Sequence, residues 1–225
     1  MRWNSLMIKE GIFLYKDFRY RLNRSKIESE KFKLSFFFKI WICDKLLKIE
    51  PTKSSLPWMP YNAIFELHSI IKKDFIVLET GTGGSTFFFL KRCKSLISIE
   101  HDKSWIKKVM SEYKKFKNKD SWDLVHRNLK CNQNSQTSPY LEYLESLNDH
   151  HFDLISIDGR LRSESLKIAS KKVKRNGYIL LDNSDREEYS DGINFLNKLG
   201  FIKKELSGLC YSLDWDSKST IWQKV

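Results

Sequence analysis

The sequence predicts a doubly wound α/β domain on a mostly parallel, seven-stranded sheet, preceded by a helical N-terminal extension. Three observations carry this prediction. From Tyr61 onward, short apolar runs of strand length alternate with helix-like segments, the pattern of a parallel sheet covered on both faces. One of those runs feeds directly into a glycine-rich loop and then into a helix. Before Pro60, by contrast, bulky apolar residues recur at helical spacing among many lysines and arginines.

The strand-like runs are Phe75–Glu79, Leu96–Glu100, Trp122–His126, Phe152–Asp158 and Tyr178–Asp182, with two more near Phe201–Leu206 and Thr220–Lys224. Ser85–Arg92, Ser104–Tyr113 and Arg162–Lys174 read as connecting helices, another helix runs from Asp191 to Leu199, and His68 falls on a helix ahead of the first strand. The polar stretch Asn128–Pro139 reads as a loop. In residues 1–57, Phe13, Leu14, Phe18 and Leu22, then Phe36, Phe37, Phe38, Ile40 and Trp41, outline two amphipathic helices. Pro51 and the segment to Pro60 end them, so the domain proper is placed at residues 58–225. The extension reads as a cap on that domain, a lid or a dimer contact. Because aromatics among Lys and Arg suit an interface, a membrane-surface anchor is the other reading.

At 225 residues, one core with an appendage is expected. A hydrophobic fraction of 41%, with 15 Phe and 7 Trp, can fill that core and argues against disorder. The excess of 40 Lys+Arg over 28 Asp+Glu gives a net charge of +12, which suits an anionic partner such as nucleic acid, an acidic glycan or a membrane surface. The charge is scattered rather than gathered in one stripe, so nucleic acid is not the first expectation. Cys43, Cys93, Cys131 and Cys210 lie far apart, with no paired spacing and no Cys/His cluster. With no secretion signal and no apolar run near the ~20 residues of a membrane span, a cytoplasmic location is expected.

The chemistry begins at Phe75-Ile76-Val77-Leu78-Glu79, a buried strand that runs into Gly81-Thr82-Gly83-Gly84 and a helix opening with Ser85 and Thr86. Glycines permit a tight turn and close approach of a ligand to the backbone. In an open α/β sheet, this crevice at the carboxyl ends of the strands is where nucleotides bind. Glu100 ends the second strand roughly 20 residues past Glu79, the spacing at which an acid accepts ribose hydroxyls. Glu79 bears on the choice of ligand. An acid beside the glycines repels a pyrophosphate but favours the ammonium and sulfonium of S-adenosylmethionine.

Glu79-Thr80-Gly81-Thr82-Gly83-Gly84-Ser85-Thr86, with Ile99-Glu100-His101-Asp102 and Trp105, resembles the first two motifs of class I S-adenosylmethionine-dependent methyltransferases. It is closest to a bacterial branch with an E-x-G-x-G-x-S-T loop, and the resemblance runs from about Trp58 to Trp222. It implies a Rossmann-like sheet with S-adenosyl-L-methionine as cofactor. It further implies that Glu79 holds the methionine end, Glu100 the ribose, and Gly81, Gly83, Gly84, Ser85, Thr86 and His101 the surrounding contacts. Many members place an Asp near the adenine after the third strand. This chain has His126-Arg127-Asn128-Leu129 there, leaving Asn128 as the candidate.

The fourth strand ends at Asp158-Gly159-Arg160 and the fifth at Asp182-Asn183. Neighbouring strands would bring Asp158, Asp182 and Asn183 to one rim, an oxygen set that suits Mg²⁺. The same arrangement resembles metal-dependent catechol-type O-methyltransferases. Two alternatives stand beside the metal: Asp158 or Asp182 acts as a general base, or both are turn residues. Arg160 and Arg162 read as solvated or as contacts for an anionic substrate.

The function these residues point to is methyl transfer to an oxygen of a small-molecule, sugar or glycan acceptor. An RNA methyltransferase, which the charge would suit, and a non-catalytic adaptor that keeps the fold are the competing readings. Intact Glu79, Gly81, Gly83 and Glu100 argue against the adaptor.

Overall fold

The computed structural model describes residues 2–28, 31–115, 121–130 and 137–225, with side chains from residue 12 onward. Cys131 lies outside the described residues, as does half of the polar stretch predicted as a loop, residues 131–136. Three helices, α1 (Arg2–Arg24), α2 (Leu34–Trp41, continued by a π-helical turn Ile42–Leu46) and the short α3 (Pro51–Ser54), come first. The alternating part follows as α4 (Tyr61–Ile70), β1 (Ile76–Thr80), α5 (Gly84–Leu90), β2 (Ser95–Glu100), α6 (Lys103–Tyr113) and β3 (Trp122–His126). It continues through α7 (Pro139–Ser146), β4 (Phe152–Ile157), α8 (Arg162–Lys172), β5 (Val173–Asp182), α9 (Ser190–Lys198), β6 (Ile202–Leu209) and β7 (Asp216–Gln223).

The strands form one seven-stranded sheet in the order β3-β2-β1-β4-β5-β7-β6. Only β7 runs against its neighbours, pairing antiparallel with both β5 and β6. The predicted doubly wound, mostly parallel sheet is therefore what the chain builds, and the reversal of strand order between β1 and β4 opens a crevice at their carboxyl ends.

Period-two alternation divides the core into two layers. Val77, Leu96, Leu154, Leu180 and Ile221 face one side, packed with Phe87, Phe88 and Phe89 of α5. Leu78, Ile99, Ile155, Ile157, Ile179 and Leu181 face the other, with Leu166 and Ala169 of α8 and Leu196 of α9. Phe37, Ile40 and Trp41 of α2 share the first layer with Phe65 of α4, so the extension contributes to the domain's own core.

The structure departs from the sequence reading in four places. Pro51 opens α3 rather than ending a helix, since its fixed φ and missing N–H suit a first helical position. Helix α7 was not anticipated; Ser138 caps it by accepting from the Tyr140 amide at 3.3 Å. Helix α8 stops at Lys172, and β5 begins at Val173 before an irregularity where Asn176 takes a left-handed φ of 63°. Strands β6 and β7 are longer than predicted, because their antiparallel pairing carries polar residues along the sheet edge.

Gly84 shows how the extension is seated. A Cβ there would run into the carbonyl of Leu56 and the Pro51 carbonyl, so α3 rests directly on the start of α5. Gly84→Ala is expected to destabilise the protein by about 1–3 kcal/mol, the usual cost of overpacking. A urea midpoint unchanged from the parent would show that the contact yields freely.

Candidate functional site

The register places the acidic residues together. Glu79 lies directly beside Ser98 on one side and Ser156 on the other. Glu100 and Asp158 follow those serines by two residues, and Asp182 follows Leu180, the partner of Ser156, by two. By pleat alternation all four carboxylates belong to the α5 side of the sheet, at the carboxyl ends of β1, β2, β4 and β5.

Glu79 is 1% exposed. Its Oε1 accepts hydrogen bonds from the hydroxyls of Thr86 at 2.5 Å and Ser98 at 2.6 Å, and its Oε2 accepts from Ser85 at 3.0 Å. Two relays run through these hydroxyls: the Trp122 indole donates to Ser98, and the Gly83 amide donates to Thr86. A carboxylate has about four acceptor positions, so one remains on Oε2, the oxygen bonded to Ser85; Ser85 lines the cleft and Glu79 lies behind it. Burial pushes the Glu79 pKa up to about 7, against the three hydroxyls that pull it down, and Asp158 adds to the rise.

Gly81 turns the chain out of β1 with φ of 83°, a conformation that favours glycine. Its amide donates to the Ile99 carbonyl at 2.8 Å, and a Cβ there would press on the backbone of Gly159. Thr82 bridges to the second acid, donating from its amide at 3.0 Å and its hydroxyl at 3.2 Å to Glu100 Oε2. Glu100 Oε1 accepts from the amides of His101 and Asp102 and lies 2.8 Å from His101 Nδ1. Trp105 closes the loop by donating its indole N–H to the Thr82 carbonyl at 2.7 Å. The residues quoted for the first two motifs are thus assembled around one turn. Gly84 lines the same cleft and also rests against the extension. Asn128 is exposed, just past β3, and only its carbonyl has a described bond, from the Ser138 hydroxyl.

At the ends of β4 and β5 stands Arg162, which is buried. Its guanidinium donates to the carbonyls of Asp158, Gly159 and Asp182, to Asn183 Oδ1 at 3.3 Å, and pairs with Asp158 Oδ1 at 2.8 Å. The reading of Arg162 as a solvated side chain is corrected. Leu161, in a left-handed conformation with φ of 52°, brings the first residue of α8 to the strand ends, where its guanidinium meets those carbonyls.

The same geometry bears on Mg²⁺ at Asp158, Asp182 and Asn183. The cation among those oxygens is Arg162, and the Asp182 carboxylate is 2% exposed and accepts from Ser219 at 2.6 Å. Asn183 is engaged at both ends of its amide, with Arg162 and Ser217. Among the described residues no group of three or more His, Cys, Asp or Glu could hold a metal ion. The residues present do not fit a divalent ion, and the structure lends it no support. Asp158 and Asp182 differ in access: the Asp158 side chain is 38% exposed and lines the cleft. Burial, and then the neighbouring Asp158 charge, raise the Asp182 pKa above the ordinary carboxylate range.

The cleft over this edge holds about 370 Å³, within the range of small-molecule sites. Thr82, Gly83, Gly84, Ser85, Trp105 and Asp158 form its floor, Glu50 and Thr52 bring the extension to its mouth beside Trp58, and Lys108 and Ser212 complete the lining. Thr52 Oγ1 is buried without a hydrogen-bond partner. Sequence reasoning missed this second half of the site. It also missed Ser98, although the matching strings Ile97-Ser98-Ile99-Glu100 and Ile155-Ser156-Ile157-Asp158 place a small polar residue inside two buried strands. His68, by contrast, stacks on Phe36 and accepts from Arg92, a packing role.

The strand order, with its antiparallel seventh strand, defines the Rossmann-like methyltransferase fold. No protein-family model matches the sequence, and no curated protein matches it. Among solved structures, the chain is similar to precorrin 8W decarboxylase from Methanobacterium thermoautotrophicum, with TM-score 0.55 and 16% identity over 76% of this chain and 94% of that one. It is also similar to the O-methyltransferase TomG from Streptomyces achromogenes, solved in complex with S-adenosylmethionine, with TM-score 0.52 and 14% identity over 68% of this chain and 74% of that one. Spermidine synthase from Thermotoga maritima shares the fold at TM-score 0.52 and 18% identity over 68% of this chain, which spans about half of it, 55%. These likenesses concern the fold, and the three proteins act on different substrates.

Proposed function

We propose that the protein is an S-adenosylmethionine-dependent methyltransferase acting on a hydroxyl of a small-molecule, sugar or glycan acceptor. The observation that carries this reading is the gathering of Glu79, Glu100 and Asp158 around the Gly81–Gly83 turn. An acid-rich crevice favours a ligand bearing an ammonium and a sulfonium over one bearing a pyrophosphate. Glu79 has an acceptor position left for the ammonium. The ribose hydroxyls would take the place of the long Thr82 hydroxyl bond on Glu100. The likeness to a methyltransferase solved with this cofactor supports the same reading.

The cofactor supplies a sulfonium methyl group for in-line displacement. The chain supplies the rest. Asp158, at the cleft, accepts the proton of the acceptor hydroxyl, and Arg162 fixes the orientation of its carboxylate. Thr52 from the extension, Trp105 from α6 and Trp58 at the start of the domain narrow the cleft and exclude water from the reacting hydroxyl.

The test is thermal stabilisation by S-adenosylhomocysteine and by NAD. A rise in Tm with the former, absent with the latter and lost in Glu100→Gln, is expected; stabilisation by NAD alone would sink the proposal. The state of Glu79 adds a pH dependence. A cationic ligand binds the ionised carboxylate, and the free protein holds that group protonated below about pH 7. The Kd for S-adenosylmethionine is therefore expected to fall as pH rises through about 7, with proton release on binding at lower pH. Calorimetry in buffers of different ionisation enthalpy measures that release; a Kd flat from pH 6 to 8, both about one pH unit from this value, would show that Glu79 does not face the charge.

A further inference from the structure

The extension carries a surface that the site does not use. Beyond residue 11, α1 exposes Ile12, Phe13 at 70%, Tyr15 at 63% and Tyr20, and α2 exposes Leu34 at 56% and Phe38 at 48%. Between the two helices runs a groove of about 600 Å³ lined by Leu14, Tyr15, Phe18, Leu34, Phe38 and Trp41, with Ser35 its one polar residue. Large contiguous apolar patches are uncommon on soluble monomers and mark contact surfaces.

The face is held rigid from beneath. The Phe18 ring meets Phe37, Phe38 and Trp41 edge-on at centroid distances of 5.3, 5.9 and 5.2 Å, locking α1 to α2. Its charge is one-sided. In Ile12–Arg24 and Lys33–Trp41 the single acid is Asp17, and its carboxylate is taken by Arg21 at 3.1 Å and the Trp41 indole at 2.7 Å. Lys16, Arg19 and Lys33 are exposed on the same segments as the aromatics, with no acid of these segments left to offset them.

We infer that this face docks on an anionic membrane surface, with the aromatics at the headgroup and acyl boundary and the cations on the lipid phosphates and carboxylates. The contact proposed is peripheral: among the described residues no helix is long and apolar enough to cross a membrane. Charge decides between a bilayer and a second copy of the chain. A two-fold interface would press Lys16, Arg19 and Lys33 of one copy towards the same cations of the other, whereas an anionic surface accepts all of them.

The test is co-sedimentation of the full chain, without cofactor or acceptor, with vesicles of phosphatidylcholine alone or mixed with phosphatidylserine. Binding is expected to the mixed vesicles only and to weaken as salt rises. Lys16→Glu/Arg19→Glu should lower the partition coefficient at least about tenfold, and Phe13→Ser/Phe38→Ser should do the same. If the aromatic variant fails to fold, the charge variant decides alone, because it alters only exposed side chains. Absence of phosphatidylserine-dependent binding, or full binding by the charge variant, would overturn the inference. So would a dimer in solution that Phe13→Ser abolishes, which would assign the face to a second copy.

Discussion

Asp158→Asn is expected to lower kcat by about 10²–10⁴-fold while leaving the binding of S-adenosylhomocysteine within about twofold, the signature of a lost general base. The reason is position. Of the two acids at the β4 and β5 ends, only Asp158 lines the cleft, whereas the Asp182 carboxylate is closed in against Ser219. Asparagine keeps the size and can still accept from Arg162, so the fold is retained and the loss falls on proton transfer. In the parent, kcat is expected to rise with pH as Asp158 ionises; in the variant that dependence disappears. The same assays in EDTA are expected to match those without it, since Arg162 stands where a metal would have to sit. A variant with near-parent kcat would remove Asp158 from the chemistry, and loss of activity in EDTA, restored by Mg²⁺, would return the metal to it.

How much of this site was legible in the sequence follows from what each part depends on. Four of the five parallel strands, β1, β2, β4 and β5, contain apolar runs buried on both faces, and burial of that kind leaves a local signal; β3, at the sheet edge, is only partly buried. The turn at Gly81 is local too, because a left-handed φ and a close approach to Gly159 favour glycine. Glu79 and Glu100 were found because each ends or nearly ends such a run. Arg162 was misread because its partners are carbonyls of Asp158, Gly159 and Asp182, brought together by strand pairing and by the left-handed Leu161, which no residue type announces. The mouth of the cleft was invisible for a similar reason. Glu50, Thr52 and Trp58 reach Gly83 and Trp105 only because Gly84 lets α3 settle on α5.

Arg162→Met is expected to cost about 1–3 kcal/mol of stability, the range for leaving buried hydrogen-bonding groups without their partner. Three strand-end carbonyls would lose their donor, and Asp158 and Asp182 would lose the cation between them. The deficit should depend on pH in a defined direction. Arg162 opposes the rise of the Asp182 pKa that burial and Asp158 cause. Without it, the folded-state pKa moves further above the unfolded value, so the folded form binds more protons than the unfolded one over a wider range. A raised carboxyl pKa leaves the fold undisturbed while the group is protonated, and stability falls as pH climbs from the unfolded value through the folded one. The variant's deficit is therefore expected to be smaller in mildly acidic buffer and larger above neutrality, as read from urea midpoints across that range. Arg162→Lys restores a charge but not the fork that reaches both strand ends. It is expected to recover the pH-dependent part of the loss more fully than the part that persists in acid. A deficit that is constant with pH in both variants would mean that Arg162 holds the carbonyls and leaves the two carboxylates untouched.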